Sequence, residues 1–297
     1  MKYLLVLLSL LCFTACSQIP NDSSQAIIGI ADDWNSSHVT LTMVEKNAAG
    51  KWVRVLGPFP GRLGRNGCVW GLGEHRNPAG ATTKREGDGR SPAGVFALGG
   101  LWVNNPEPVQ HDPAIPYVQV GPNDLWVSDP RLPQLYNRHL RLDHPATTPW
   151  EKHEQMRQSD YPHSIKLLVH HNTPESVGRP VVGAGSSIFF HIWRREGEAP
   201  TAGCTSMDEG QLRQFIARLR ADKKPVYILL PREEYTRRRR DWNLPCVSGS
   251  RGCPLCAAAT SSYPHFYRLR RGFINPICPS SEKNLTFSYI SHIFSVH

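Results

Sequence analysis

His191 and Cys204 are the two residues of this 297-residue sequence whose side chains together could do covalent chemistry. A free thiol is ionised only to a few per cent at neutral pH, so a nucleophilic cysteine needs a base nearby. His191 lies in the apolar stretch Ser187–Trp193, which predicts a buried strand where an imidazole without a partner would be costly. On these residues alone, a structural histidine and an inert cysteine remain the simpler interpretation.

The residues that follow Cys204 predict a helix that would support such a thiol. Apolar residues recur at helical spacing over 212–219, and Asp208 with a glutamine three residues later is typical of a capping box. The sequence therefore predicts that Cys204 lies just before the start of a helix. The backbone N–H groups of Gly203 and Cys204 could there form an oxyanion hole.

Two further clusters of reactive side chains are weaker candidates. His170 and His171 are consecutive beside a predicted strand, so their side chains point to opposite faces and do not easily share a metal. Cys253 and Cys256 have the CxxC spacing of zinc or redox sites. The segment around them, 246–297, shows no clear periodicity, so we expect a cysteine-containing tail of unknown role.

The composition is that of an ordinary globular domain with a moderate positive charge. Lys and Arg number 34 against 25 Asp and Glu, a formal charge of +9, and 40% of the residues are apolar. Of this charge, +4 belongs to 246–297, where five basic side chains accompany one acidic one. The positive charge on the rest of the chain gives no reason to expect a nucleic-acid partner. In an exported domain it suits an anionic wall polymer or a membrane surface, or simply a solvated face.

The first residues predict export. Lys2 is followed by the apolar run Tyr3–Phe13, which suits a signal peptide and is too short to cross a bilayer. The run ends in Phe-Thr-Ala-Cys, which resembles the lipobox of bacterial lipoproteins and predicts lipid attachment at Cys16, with an ordinary secretory signal as the alternative. We therefore predict an export signal over 1–16, a tether over 17–38, and a periplasmic, lipid-anchored location in the cell envelope.

The pattern of apolar and turn residues predicts more strands than helices. Strands are predicted at 39–44, 52–56, 165–169, 187–193 and 226–230, the first two as a hairpin. Short helices are predicted near 151–156 and 233–240, besides the one after Cys204. The fold class expected for the domain 39–245 is therefore mainly β with short helices.

A longer pattern surrounds the two reactive residues. The His191 strand is followed by a loop and then by Thr-Ala-Gly-Cys-Thr-Ser at 201–206, which resembles the catalytic motif of YkuD-type L,D-transpeptidases. Further segments resemble one branch of that family, and they are Gly64–Gly67, Lys84–Gly89, Ser91–Phe96, Tyr136-Asn137 and Gly185–His191. Together the segments span about residues 39–231.

This resemblance implies a fold, a reaction and a partner. The fold is the YkuD-type β-sandwich-like catalytic domain, and the partner is the stem peptide of peptidoglycan. Cys204 is then the nucleophile that attacks the third residue of a tetrapeptide stem, expels D-Ala and forms a thioester, whose acyl group passes to an amine. His191 is its general base, oriented by a backbone carbonyl, and no metal or organic cofactor is needed. Glu86 and Asp88 belong to a loop that fixes the site and are not a glycosidase pair.

Two departures from the common family motif leave the substrate contacts open. Where that motif reads Ser-His-Gly-Cys-Ile-Arg, this chain has Ala202 in place of the histidine and lacks the arginine. A substitute cation for the substrate carboxylate could be Lys84, Arg85 or Arg194, each of which could also be a solvated charge. The alternative functions are a wall peptide hydrolase, a periplasmic glucan transferase and a non-catalytic wall-binding lipoprotein.

Overall fold

Strands are the main regular secondary structure of the protein, whose computed structural model describes residues 18–157 and 159–246. The strands in these residues are β1 (Gln25–Ala31), β2 (His38–Lys46), β3 (Trp52–Arg62), β4 (Cys68–Trp70), β5 (Ser91–Val103), β6 (Tyr117–Gln119), β7 (Asp124–Val127), β8 (Arg138–Arg141), β9 (Ile165–Val169), β10 (Phe189–Ile192), β11 (Thr205–Met207) and β12 (Val226–Pro231). The α-helices are α1 (Pro149–Glu154), α2 (Pro174–Val177), α3 (Glu209–Arg218) and α4 (Arg232–Arg238). The prediction of a mainly β domain with short helices is confirmed.

Most of the strands join one sheet that closes on itself. Its strands follow the order β12–β1–β2–β3–β11–β10–β9–β5, and β12 also pairs with β5, so these strands form a closed circuit. The strand β5 has 13 residues, which is long enough for it to pair with β4 and β6 as well. The strands β7 and β8 form a separate antiparallel pair.

The strands β1 and β12 run parallel, side by side, and are buried on both faces. Ile27 and Leu229 belong to the larger core cluster, whereas Ile28 and Ile228 belong to a second cluster on the other face. Burial on both faces explains their continuous apolar sequence. The assignment of 17–38 to a tether is therefore wrong for β1, which is a central strand of the domain.

The predicted hairpin is present, and its second strand is longer than predicted. The strands β2 and β3 pair antiparallel, from Lys46 opposite Trp52 to His38 opposite Arg62. At its far end β3 also pairs with β11, where Ser206 lies opposite Arg62. The hairpin thereby holds the strand that follows Cys204.

The elements around Cys204 differ from the prediction in one respect. The predicted strands β9 and β10 are present and pair antiparallel. The Asp208 side chain accepts a hydrogen bond from the Gln211 amide and so caps α3, in agreement with the predicted helix start. The strand β11 lies between Cys204 and α3, however, so the cysteine does not directly precede the helix. Pairing with β10 on one side and β3 on the other keeps these three residues extended.

Two of the predicted segments cannot be compared with the structure. The export signal 1–16, including Cys16, and the tail 246–297 apart from Cys246 lie outside the described residues. In the part of the chain that is described, no helix is both long and apolar enough to span a membrane.

Candidate active site

Cys204 and His191 line one cavity. His191 lies on β10 and Cys204 immediately precedes β11, and these two strands run parallel with His191 opposite Ser206. Residues directly opposite each other on paired strands project to the same side of the sheet, so His191 and Ser206 share a face, and Cys204 lies in the bend just before β11. All three residues line a cavity of about 150 Å³. Because pockets for whole ligands measure about 300–1,000 Å³, this volume suits only the reacting end of a larger substrate.

The thiol of Cys204 is held by backbone groups. Its sulfur accepts a hydrogen bond from the Phe189 amide at 3.4 Å and donates one to the Ser187 carbonyl at 3.3 Å. The Cys204 carbonyl accepts hydrogen bonds from the hydroxyls of Thr201, at 2.7 Å, and Ser91, at 3.2 Å. These contacts fix both the peptide and the side chain of Cys204.

A backbone carbonyl sets the tautomer of His191. Nδ1 of the imidazole lies 2.7 Å from the Ile192 carbonyl oxygen. A carbonyl can only accept, so Nδ1 carries the proton and Nε2 carries the lone pair. His191 is only 4% exposed, which restricts its ring to this arrangement. Nε2 is therefore the atom available to take a proton from the thiol.

Burial keeps both reactive groups uncharged at rest. It lowers the pKa of His191 to about 3 and raises the pKa of the Cys204 thiol. The Phe189 amide and the ammonium groups of Lys84 and Lys166 act against burial and lower the thiol pKa. The resting site thus holds a neutral thiol and a neutral imidazole, with an N–H dipole and two positive charges placed to stabilise a thiolate when it forms.

A buried asparagine, Asn137, positions the segment whose Ser187 carbonyl accepts the hydrogen bond of the thiol. Ser187 has a left-handed backbone with φ of 55°, and its amide donates to Oδ1 of Asn137 at 3.0 Å. The same oxygen accepts a hydrogen bond from the Trp126 indole at 2.8 Å. The Asn137 side-chain nitrogen donates to the carbonyls of His171 and Asn172. Asn137 therefore ties Ser187, and through it the sulfur, to the surrounding loops.

The acidic loop contributes support and not reactive carboxylates. The Glu86 carboxylate accepts hydrogen bonds from the hydroxyls of Tyr136, at 2.6 Å, and Ser186, at 2.8 Å. Asp88 forms an ion pair of 2.6 Å with Lys84. Both carboxylates are thus engaged in holding the loops next to the site, which agrees with the role inferred for this segment from the sequence.

The structure separates the three cations predicted to contact substrate. Arg194 lines the cavity and forms an ion pair with Asp160. Lys84 is buried near Cys204, with its Nζ 3.5 Å from the position that a Cβ atom on the neighbouring Gly203 would take. Arg85 lines a different cavity, of about 740 Å³. A group bound next to the sulfur would therefore meet Arg194, whereas Arg85 lies elsewhere.

The two predicted oxyanion donors differ in their surroundings. The Gly203 amide donates to Oγ1 of Thr201 at 3.0 Å, so it would have to leave that hydroxyl to bind an oxyanion. The predicted oxyanion hole then depends mainly on the Cys204 amide. Because β11 separates Cys204 from α3, both amides belong to a loop and not to a helix N-terminus.

Sequence reasoning missed three residues of the site, His163, Lys166 and Ser206. His163 ends the 3₁₀ turn Tyr161–His163 and lines the cavity, and its ring centroid lies 4.5 Å from that of His191. Lys166, which is 3% exposed, lies opposite His191 on β9. A lysine within an otherwise apolar strand is a signal that could have identified Lys166, whereas nothing in the local sequence distinguishes His163.

The consecutive histidines His170 and His171 are engaged with protein groups. Nδ1 of His171 accepts a hydrogen bond from the Leu72 amide at 3.1 Å, and its Nε2 donates to the Ala184 carbonyl at 3.0 Å. His170 contacts the Thr173 hydroxyl at 2.8 Å. These contacts give both side chains a structural role.

Comparison with known proteins identifies one family. The family model for the L,D-transpeptidase catalytic domain, YkuD, matches residues 37–228, a range that contains Cys204, His191 and the strands β2 to β11. No curated protein and no solved structure matches the chain.

Proposed function

Because this chain belongs to the YkuD family of L,D-transpeptidase catalytic domains, we propose that it is a peptidoglycan L,D-transpeptidase that works through a thioester on Cys204. The observation that carries the proposal is that His191, on β10, and Cys204, immediately before the adjacent parallel strand β11, line one cavity. The proposed donor is a tetrapeptide stem, which gives the acyl group of its third residue. The scheme needs no metal or organic cofactor, because the thioester keeps the energy of the donor peptide bond.

The first half-reaction uses the tautomer that Ile192 imposes on His191. Nε2 of His191 takes the thiol proton as the sulfur of Cys204 attacks the carbonyl carbon of the third stem residue. The Cys204 amide donates to the oxyanion, and a single donor of this kind contributes about 3–4 kcal/mol in comparable sites. The C–N bond to D-Ala then breaks while His191 gives its proton to the leaving nitrogen. An amine takes the acyl group from sulfur in the second half-reaction.

Arg194 and Ser206 are the substrate contacts that we propose within the cavity. Arg194 lines it and supplies the cation that the stem carboxylate requires. Ser206 also lines it and is 1% exposed, and its hydroxyl has no hydrogen-bond partner within the described part of the chain. An unpaired buried hydroxyl is unfavourable, so a polar group of the substrate is its proposed partner.

We also propose that the protein works in the cell envelope, exported by the signal 1–16 and held there by a lipid on Cys16. The support is the charge and apolar pattern of the first residues and the lipobox-like end of that pattern. An envelope location would place the catalytic domain next to its proposed wall substrate.

Product analysis tests the proposed reaction. The purified chain is incubated with disaccharide-tetrapeptide, and the products are identified by mass spectrometry. A dimer cross-linked between third residues, formed with loss of one D-Ala, is the expected product. A shortened monomer would indicate a hydrolase instead, and unchanged substrate with retained binding to the wall would indicate a non-catalytic protein.

Two cysteine variants make this experiment specific. Cys204→Ala should abolish the product while leaving wall binding intact. Cys68→Ala is the matched control, because Cys68 is the other free cysteine among the described residues, and burial raises its pKa to about 12. Normal turnover by Cys204→Ala would refute the assigned nucleophile.

A further inference from the structure

His163 brings a second imidazole to the reaction cavity. It lines the same cavity as Cys204 and His191, and the planes of the two imidazole rings meet at 35° with their centroids 4.5 Å apart. The His163 side chain is 20% exposed, so a reactant in the cavity can reach it. The scheme described above makes no use of this group.

Asp160 fixes the orientation of the His163 ring. Nδ1 lies 2.8 and 2.9 Å from the two carboxylate oxygens of Asp160, so Nδ1 carries a proton and donates it to the carboxylate. Arg194 forms an ion pair with Asp160 and lies 3.5 Å from the same Nδ1. Both contacts therefore involve Nδ1, which leaves the lone pair of Nε2 for a reactant. A carboxylate behind an imidazole in this way is the usual arrangement of a general base.

The charged groups that face His163 come from three elements. Burial lowers its pKa, and so do the positive charges of Lys166 on β9 and Arg194 after β10, whereas Asp160 in the preceding turn raises it. His191, which packs against the ring, is uncharged at rest. His163 is thus a neutral imidazole in the free protein and is able to take a proton.

We propose that His163 is the general base that deprotonates the acceptor amine in the second half-reaction, an inference that rests on the proposed transpeptidase function. The acceptor arrives as an ammonium ion and gives one proton to Nε2 of His163. Its nitrogen then forms a C–N bond with the thioester carbonyl carbon and gives a second proton to Nε2 of His191. The C–S bond breaks, and His191 returns that proton to the sulfur of Cys204. The products are an amide, a free thiol and one proton, which His163 releases to solvent.

Only the second half-reaction, the transfer of the acyl group to the amine, needs a second base. In the first one, the single proton taken from the thiol is given to the leaving nitrogen, so His191 suffices. In the second one, the ammonium ion loses two protons, and His191 can hold only the one that it returns to the sulfur. A variant of His163 should therefore separate the two steps.

The experiment times the two half-reactions separately in the full chain carrying His163→Gln. The protein is acylated with disaccharide-tetrapeptide in which the side-chain amine of the third residue is acetylated, so that the donor cannot act as acceptor, and acyl-enzyme formation is followed by intact mass. An amine acceptor is then added, and loss of the acyl-enzyme is timed. We expect acylation at close to the wild-type rate and transfer to the amine about 100-fold slower. Hydroxylamine, which is uncharged at neutral pH and needs no base, should restore most of the lost rate.

Two further variants keep the test decisive. His153→Gln is the matched control, because that side chain is 76% exposed on α1, and it should behave as the wild type. Asp160→Asn should slow transfer in the same direction, and it replaces His163→Gln if the latter does not fold. Equal slowing of both half-reactions, or normal transfer to the amine, would overturn the inference alone. A wild-type chain that forms no acyl-enzyme would instead overturn the proposed function, and the inference with it.

Discussion

The thiol of Cys204 and the imidazole of His191 are both uncharged in the free protein, because burial moves their pKa values in opposite directions. Separating charge between them is costly in a cavity of low dielectric constant. The ammonium of Lys166 offsets part of that cost for the thiolate. It is held by the Met156 carbonyl at 2.8 Å, and burial lowers its pKa to about 8. We therefore expect the sulfur to carry charge only during attack on the substrate.

The position of the Cys204 sulfur depends on the loops around β10. The Asn137 side chain connects these loops through its hydrogen bonds to their backbone. Asn137→Ala should lower the free energy of unfolding by about 2–4 kcal/mol, because it leaves the Ser187 amide and the Trp126 indole without their acceptor. It should also slow acylation in the protein that remains folded, since the Ser187 carbonyl then no longer holds the thiol. Urea denaturation and the rate of acyl-enzyme formation measure the two effects.

Asn47→Ala is the control for that variant, because Asn47 accepts hydrogen bonds from backbone amides only within an exposed turn. It should change acylation little. An Asn137→Ala protein that acylates at the wild-type rate would show that the loops hold the sulfur without this side chain.

The sequence predicts the elements that have strong local patterns and misses those that depend on distant partners. The strands β9 and β10 follow from their apolar runs, and the start of α3 follows from Asp208. The three residues of β11 have no pattern of their own, because pairing with β10 and β3 is what keeps them extended. For the same reason, the side chains that flank His191, namely Lys166 and Ser206, become neighbours only through strand pairing.

Buried histidines make the stability of the whole domain sensitive to acid. Burial lowers the pKa of His75 to about 4 and the pKa values of His171 and His191 to about 3. Between the ordinary value of 6.5 and about 4, the unfolded chain binds protons at these positions and the folded chain does not, so stability falls as the pH falls. Each histidine contributes up to about 1.4 kcal/mol per pH unit in this window. Urea denaturation at about pH 5 should therefore give a clearly smaller free energy of unfolding than at about pH 7.

Carboxylates do not account for the loss of stability between pH 6.5 and about 4. The pKa of Glu45 is lowered to about 2, so its contribution is lost only as the pH falls below the ordinary value of 4.5. Equal free energies of unfolding at the two pH values would contradict the neutral state assigned to the buried imidazoles.

The closure of the sheet is the feature of the whole molecule that the sequence could not indicate. The strands β5 and β12 pair although more than a hundred residues separate them, with Phe96 opposite Tyr227. The two rings of Phe190 and Tyr227 then pack at 4.6 Å inside the core. The sequence predicted that strands would dominate, but which strands pair is decided by burial of side chains from distant parts of the chain.

The intact mass of the protein during reaction with disaccharide-tetrapeptide tests most directly whether Cys204 and His191 act as one reacting pair. We predict a transient adduct with the mass of the disaccharide-tripeptide acyl group, located on the peptide that contains Cys204. The adduct should be absent in Cys204→Ala and should form far more slowly in His191→Gln. Product formed without any adduct on Cys204, or at an unchanged rate in His191→Gln, would contradict this account.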